Sequence, residues 1–88
     1  MISTTIIVPN KAGLHARAAA KFVSTASAFQ SQITLANGDK SVDGKSILSL
    51  MLLAAPMGSE LNLTLDGEDE SAALQAILTL LEERFGEE

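Results

Sequence analysis

The apolar positions of this chain change their period several times, and each change marks an element. Ile2 to Val8 is rich in β-branched residues and predicts a strand that Pro9 ends. From Ala16 onward Ala19, Phe22, Val23 and Ala26 recur at i, i+3, i+4, i+7, the stripe of an amphipathic helix. Ile33 and Leu35 alternate with polar neighbours in a second strand, and Asn37-Gly38 should close a two-residue hairpin onto a short strand, Lys40 to Asp43. Asp43-Gly44-Lys45-Ser46 reads as a turn, with Ser46 as N-cap of a helix from Ile47 to Leu53 that ends before Pro56. Glu60 to Asp66 alternates strictly and places Leu61, Leu63 and Leu65 on one face of a further strand. Asp66-Gly67 turns the chain, and Glu68, Asp69 and Glu70 set negative charge at a helix start, where the dipole favours it. Leu74, Ile77, Leu78, Leu81 and Phe85 form the apolar stripe of that last helix, with Gly86 as its C′ residue.

The element order is thus β-α-β-β-α-β-α. Strands with one apolar face, alternating with striped helices, predict an antiparallel sheet covered by helices on one side: a two-layer α+β domain spanning residues 1–88. The pattern leaves the strand order open, because a ferredoxin-like order and a split order both let successive elements alternate direction.

Composition narrows the chemistry. A chain that is 47% hydrophobic and 19% charged is globular rather than disordered. It has no cysteine, which excludes disulfides, thiol nucleophiles and zinc–thiolate sites. It has a single histidine, so neither a metal nor a cofactor is expected, and a monomer is the expectation. The longest apolar stretch, Ile47 to Met57, is interrupted by Ser49 and Pro56 and is too short to cross a bilayer. The first residues lack the features of a signal peptide, so a cytoplasmic protein, not embedded in a membrane, is expected.

The net charge of −5 is unevenly spread. Residues 1–38 contain Lys11, Arg17 and Lys21 and no acid, whereas residues 60–88 hold nine acids against Arg84 alone. The histidine therefore lies in a locally basic stretch of an acidic molecule, which suits an anionic ligand or partner. Nucleic acid is a poor candidate, since overall acidity repels phosphate backbones and neither Trp nor Tyr is available to stack on bases.

That histidine, His15, stands in Asn10-Lys11-Ala12-Gly13-Leu14-His15-Ala16-Arg17, where the first strand has given way to the start of a helix. The first helical turn offers N–H groups without intrahelical partners, a ready anion site supplied here by Ala16, Arg17 and Ala18. Arg17 puts a cation where the dipole is already positive, so local stability disfavours it and function is the better account. Neutral imidazole is a nucleophile near pH 7, and a helix N-terminus favours the uncharged ring. A phosphoryl group on that ring would gain bonds from first-turn N–H groups and from the planar guanidinium of Arg17. The residues therefore point to a phosphoryl group carried on His15 at an exposed corner that two partners reach in turn. Three readings compete with this one: a histidine that only caps the helix, a module that acts by docking alone, and a small hydrolase. The last lacks a nucleophile-elbow motif and has little room for an enclosed pocket.

The segments Gly13-Leu14-His15-Ala16-Arg17 and Gly44-Lys45-Ser46-Ile47-Leu48, with the element order and length, resemble the HPr family, the histidine-containing phosphocarriers of the bacterial phosphoenolpyruvate-dependent phosphotransferase system. The resemblance covers nearly the whole chain. It implies an open-faced β-sandwich, with four antiparallel strands in the order 1-4-2-3 and three helices on one face. It implies that enzyme I transfers a phosphoryl group to Nδ1 of His15 and that an enzyme IIA component receives it, in sugar uptake or in a nitrogen-related regulatory branch. Such a chain is a carrier within a relay rather than a stand-alone enzyme. The family usually has proline after the arginine, where this chain has Ala18, a good helix former that restores an N–H. Some relatives carry lysines at the positions of Ser24, Ser27 and Ser49, so steering of acidic partners here falls to Arg17, Lys21 and Lys45.

Ser46 is a favoured N-cap in its own right. The resemblance adds regulatory phosphorylation of Ser46 by an HPr kinase/phosphorylase, which a helix N-terminus tolerates. Ile47, Leu48, Leu50, Met51, Leu52 and Leu53 exceed what one buried stripe of a short helix uses. Ile47 and Met51 share a face with Leu48 beside it. By resemblance these three contact enzyme I and IIA, leaving Leu50 and Leu53 for the core.

Overall fold

A computed structural model describes residues 1–86. The elements are β1 (Ile2–Ile7), α1 (Ala16–Ala26), β2 (Gln32–Asn37), β3 (Lys40–Asp43), α2 (Ile47–Leu53), β4 (Glu60–Asp66) and α3 (Glu70–Glu82), followed by a single 3-10 turn, Arg84–Gly86. The four strands form one antiparallel sheet in the order β1-β4-β2-β3. The strand order left open by the hydrophobic pattern is therefore the split one implied by the family resemblance, with β4 inserted between the first two strands.

Register explains why the core is contiguous. Leu61, Leu63 and Leu65 on β4 lie opposite Ile6, Thr4 and Ile2 on one side, while Leu63 and Leu65 lie opposite Leu35 and Ile33 on the other. Side chains alternate across a pleated sheet, so these positions share the face that meets the helices. Ala18, Ala19, Phe22 and Ala26 of α1, Leu50 and Leu53 of α2, and Ala73 and Ile77 of α3 close over that face. Ala18, Ala19 and Ala26 and the ring of Phe22 are all buried in this core.

Three sequence expectations change. β1 stops at Ile7: Val8 remains buried, but it bonds to the α2–β4 connection, accepting from Gly58 N–H at 2.9 Å and donating to Ser59 O at 3.0 Å. The hairpin loop is Gly38-Asp39 rather than Asn37-Gly38, since Asn37 pairs with Lys40. Gly38 holds φ at +61°, whereas Asp39 is absent from the positive-φ residues. One positive φ, at the first loop position, is what a type II′ turn requires of glycine.

The third concerns Phe85. α3 ends at Glu82, so Phe85 is not on its stripe and Gly86 is not its C′ residue. Arg84 and Phe85 instead take left-handed backbone angles, φ +53° and +56°, and this tight turn drives the Phe85 ring back into the core. Helical spacing does not see such a turn, because it departs from the 3.6-residue period before the last apolar residue.

Candidate functional site

His15 sits as the N-cap of α1 with an extended backbone, φ −89° and ψ −176°. Its carbonyl accepts the first intrahelical bond, from Ala19 N–H at 2.8 Å. Its side chain turns back over the helix start, where Nδ1 accepts from the Arg17 backbone N–H at 3.2 Å. A nitrogen that accepts this bond carries no proton, so its lone pair faces the first-turn amides. The ring is half-buried, and the described residues enclose no pocket around it. The nitrogen that caps the helix is thus an imidazole nitrogen with nucleophilic character.

The loop leading to His15 is fixed from two sides. Gly13, at φ +73°, has no room for a side chain: a Cβ there would stand 2.7 Å from Ala55 O and 3.0 Å from Pro56 Cα. Leu14 N–H donates to that same Ala55 carbonyl at 2.9 Å, and its side chain is buried. The α2–β4 connection thus forms the floor under the His15 loop. Ala54, left-handed at φ 51° and ψ 40°, ends α2 and turns the chain into that floor. The sequence contains the glycine but gives no sign of which segment it packs against.

Arg17 is exposed, and its guanidinium makes no ion pair with any described residue. Ala16 is exposed, while the methyl of Ala18 is buried in the core. Ala16, Arg17 and Ala18 occupy the first three helical positions, whose N–H groups lack a carbonyl one turn back within the helix. Lys21 and Lys45 are less free than their charge suggests. Lys21 Nζ donates to Phe85 O at 2.6 Å, closing the C-terminal turn over α1, and Lys45 Nζ donates to Phe29 O at 2.7 Å.

Ser46 caps α2, its Oγ accepting from Ser49 N–H at 3.3 Å. Leu50 and Leu53 point inward, as expected, whereas Ile47, Leu48 and Met51 are 41%, 70% and 42% exposed. Leu52, at 62% exposed, widens this apolar surface beyond the three residues that helical spacing singled out. Together they form an exposed apolar patch of the kind that contact surfaces share.

Two anchors escaped sequence reasoning. Asp69 stands at the N-cap position of α3 but makes no side-chain cap there. Its carboxylate accepts from Gln30 N–H at 2.8 Å, from Ser31 N–H at 2.9 Å and from Ser31 Oγ. The Ser31 hydroxyl first, and then the Gln30 amide, hold this carboxyl below the usual aspartate range. Glu70 accepts from Gly67 N–H at 3.1 Å and pairs with the N-terminal amine at 3.1 Å, which together lower its carboxyl.

Comparison with known proteins agrees with this geometry. The family model described as the phosphorylation site of the HPr component of the phosphotransferase system (PTS) matches residues 2–83. The phosphocarrier protein HPr of Xylella fastidiosa (strain 9a5c) is 50% identical over 88 residues, covering 100% of this chain and 99% of that protein. HPr of Neisseria meningitidis (strain Z2491) is 46% identical over 87 residues, covering 99% and 98%. The crystal structure of HPr-C-His from Thermoanaerobacter tengcongensis superposes with a TM-score of 0.94 at 46% identity, covering 100% of this chain and 99% of that one.

Proposed function

The chain belongs to the HPr family of phosphotransferase-system phosphocarriers, and from that premise we propose that His15 accepts a phosphoryl group from phospho-enzyme I and passes it to an enzyme IIA component. The observation that carries this reading is the bond from Arg17 N–H to His15 Nδ1, because it puts an unprotonated nitrogen against the anion-binding end of α1.

In the forward step the Nδ1 lone pair forms a bond to phosphorus as the bond between phosphorus and the donor group of enzyme I breaks, its electron pair leaving with that donor. Nδ1 then no longer accepts from Arg17, and that N–H is released to a phosphoryl oxygen. The N–H groups of Ala16 and Ala18 and the guanidinium of Arg17 complete the set of donors. These bonds strengthen as charge builds on the transferring group, which is how a carrier speeds transfer without trapping its cargo. The second step is the same displacement with an acceptor on IIA as nucleophile and imidazole as leaving group. An open corner suits this use, since each partner in turn covers the ring.

Ile47, Leu48 and Met51 form the surface on which both partners dock, and the charges of Lys21 and Lys45 add to the attraction of acidic partners. The flexible thioether of Met51 suits a surface that fits more than one partner. Phosphorylation of Ser46 by an HPr kinase/phosphorylase would place a dianion beside this surface and weaken docking. On this reading the protein acts as a monomer in the cytoplasm, a member of the relay rather than an enzyme turning over alone. No helix among the described residues is long and apolar enough to cross a membrane.

The test is incubation with enzyme I and phosphoenolpyruvate followed by intact mass measurement. One added phosphate is expected, labile in acid and stable in base, and absent from His15→Ala. An acid-stable adduct would point to serine and overturn the assignment.

A further inference from the structure

Asn10 is fully buried, one of two buried polar residues among the described ones, and no step above uses it. Its Nδ2 donates to the carbonyl of Gly13 at 2.9 Å, and the His15 backbone N–H donates to that same carbonyl at 2.9 Å. Gly13 N–H in turn donates to the Asn10 carbonyl at 3.1 Å, so residues 10–13 form a closed turn braced from inside by a carboxamide. Resting on the phosphocarrier reading above, we propose that Asn10 is a positioning residue for His15, its buried carboxamide fixing the carbonyl from which the His15 backbone hangs.

The physical argument begins with burial. A fully buried carboxamide is unfavourable unless bonded, and here its Nδ2 has the Gly13 carbonyl. A small apolar residue would fill this space without that requirement, so the amide is accounted for by the carbonyl it holds. That carbonyl is the sensitive part of the loop. Gly13 lies in the left-handed region, where glycine has alternatives on either side of φ = 0, and nothing within the residue selects one. Two donors on one oxygen fix the plane of the peptide that follows Gly13. The contact of Gly13 with Ala55 fixes its position.

His15 then leaves the loop with its extended backbone already set, and Nδ1 meets the Arg17 amide without a search. Without the carboxamide the carbonyl is free to tilt, and the imidazole loses a defined direction relative to the first turn. Because transfer demands an aligned nucleophile, misplacement by a fraction of an ångström appears in the chemical step. Docking uses α2 and does not depend on this loop.

The test uses the full chain with Asn10→Ala, which removes the donor, and Asn10→Asp, which keeps the shape but turns an acceptor toward the Gly13 carbonyl. In both, kcat for transfer from phospho-enzyme I should fall at least tenfold while KM for the carrier stays within twofold. The ¹⁵N resonance of His15 Nδ1 should shift in the unphosphorylated variants. Ser31→Ala, which loosens the opposite end of the molecule, serves as the control and should leave kcat and the Nδ1 resonance unchanged. Folded variants with normal kcat and an unaltered Nδ1 resonance overturn the proposal. If Asn10→Ala does not fold, Asn10→Ser, with a shorter donor, replaces it under the same criteria. Should every substitution at Asn10 unfold the chain, its role is structural and the proposal falls. Failure of the unsubstituted chain to take phosphate would strike the phosphocarrier reading instead, while the Nδ1 spectrum would still decide the role of Asn10.

Discussion

The carboxylate of Asp69 accepts the hydroxyl of Ser31, thirty-eight positions earlier in the chain, together with the backbone N–H groups of Gln30 and Ser31. An aspartate at the N-cap position of α3 is thus spent on the α1–β2 turn and ties the first half of the molecule to the last helix. Its bonds favour the charged carboxylate, so its folded-state pKa lies below that of the unfolded chain. The stability this contributes is full above the unfolded value and is lost as pH falls through the folded one. Thermal unfolding should therefore show Tm falling on acidification below about pH 4. Asp69→Asn should lower Tm at neutral pH and flatten that acid dependence. An unchanged profile would show that the clamp does not couple to folding.

Arg17→Ala removes an exposed guanidinium that no described residue holds in an ion pair. Stability should stay within about 0.5 kcal/mol, as for most surface substitutions. Transfer from phospho-enzyme I should slow about tenfold or more, the scale of losing a charge-stabilising donor. Stopped-flow or quench-flow transfer assays beside urea unfolding separate the two effects.

Leu48→Glu and Met51→Glu place charge on side chains already 70% and 42% exposed. Both should leave Tm nearly unchanged and raise KM with enzyme I and with IIA by about tenfold, as expected when an apolar contact at an interface is lost. Leu50→Ala, on the same helix but fully buried, should instead cost about 2–5 kcal/mol of stability. Calorimetric titration and denaturant unfolding distinguish the outer face from the inner.

Ser46→Ala removes the Oγ that accepts from Ser49 N–H and should cost about 1 kcal/mol. Ser46→Asp keeps a capping oxygen and adds charge where the dipole favours it, so the fold should be as stable as before. If charge at this position regulates docking, Ser46→Asp binds the partners more weakly than Ser46→Ala does. Equal affinities would leave Ser46 as a cap alone.

The amino-acid sequence by itself determined the elements and their inner faces. Strict alternation in Glu60–Asp66, the stripe through Phe22 and the serine before Ile47 are local signals, and local propensity and amphipathicity settle each without knowledge of the rest. It also narrowed the chemistry, because its single imidazole stands at a helix start. The tertiary structure set β4 between β1 and β2, an order that the family resemblance implied but the hydrophobic pattern left open, since alternation records which face is buried and not which neighbour lies alongside. It alone turned Phe85 inward through left-handed residues, spent Asp69 on Ser31, and set Gly13 against Ala55. Each of these is a contact between distant segments, fixed by shape and by hydrogen bonds that form only after the chain has closed on itself.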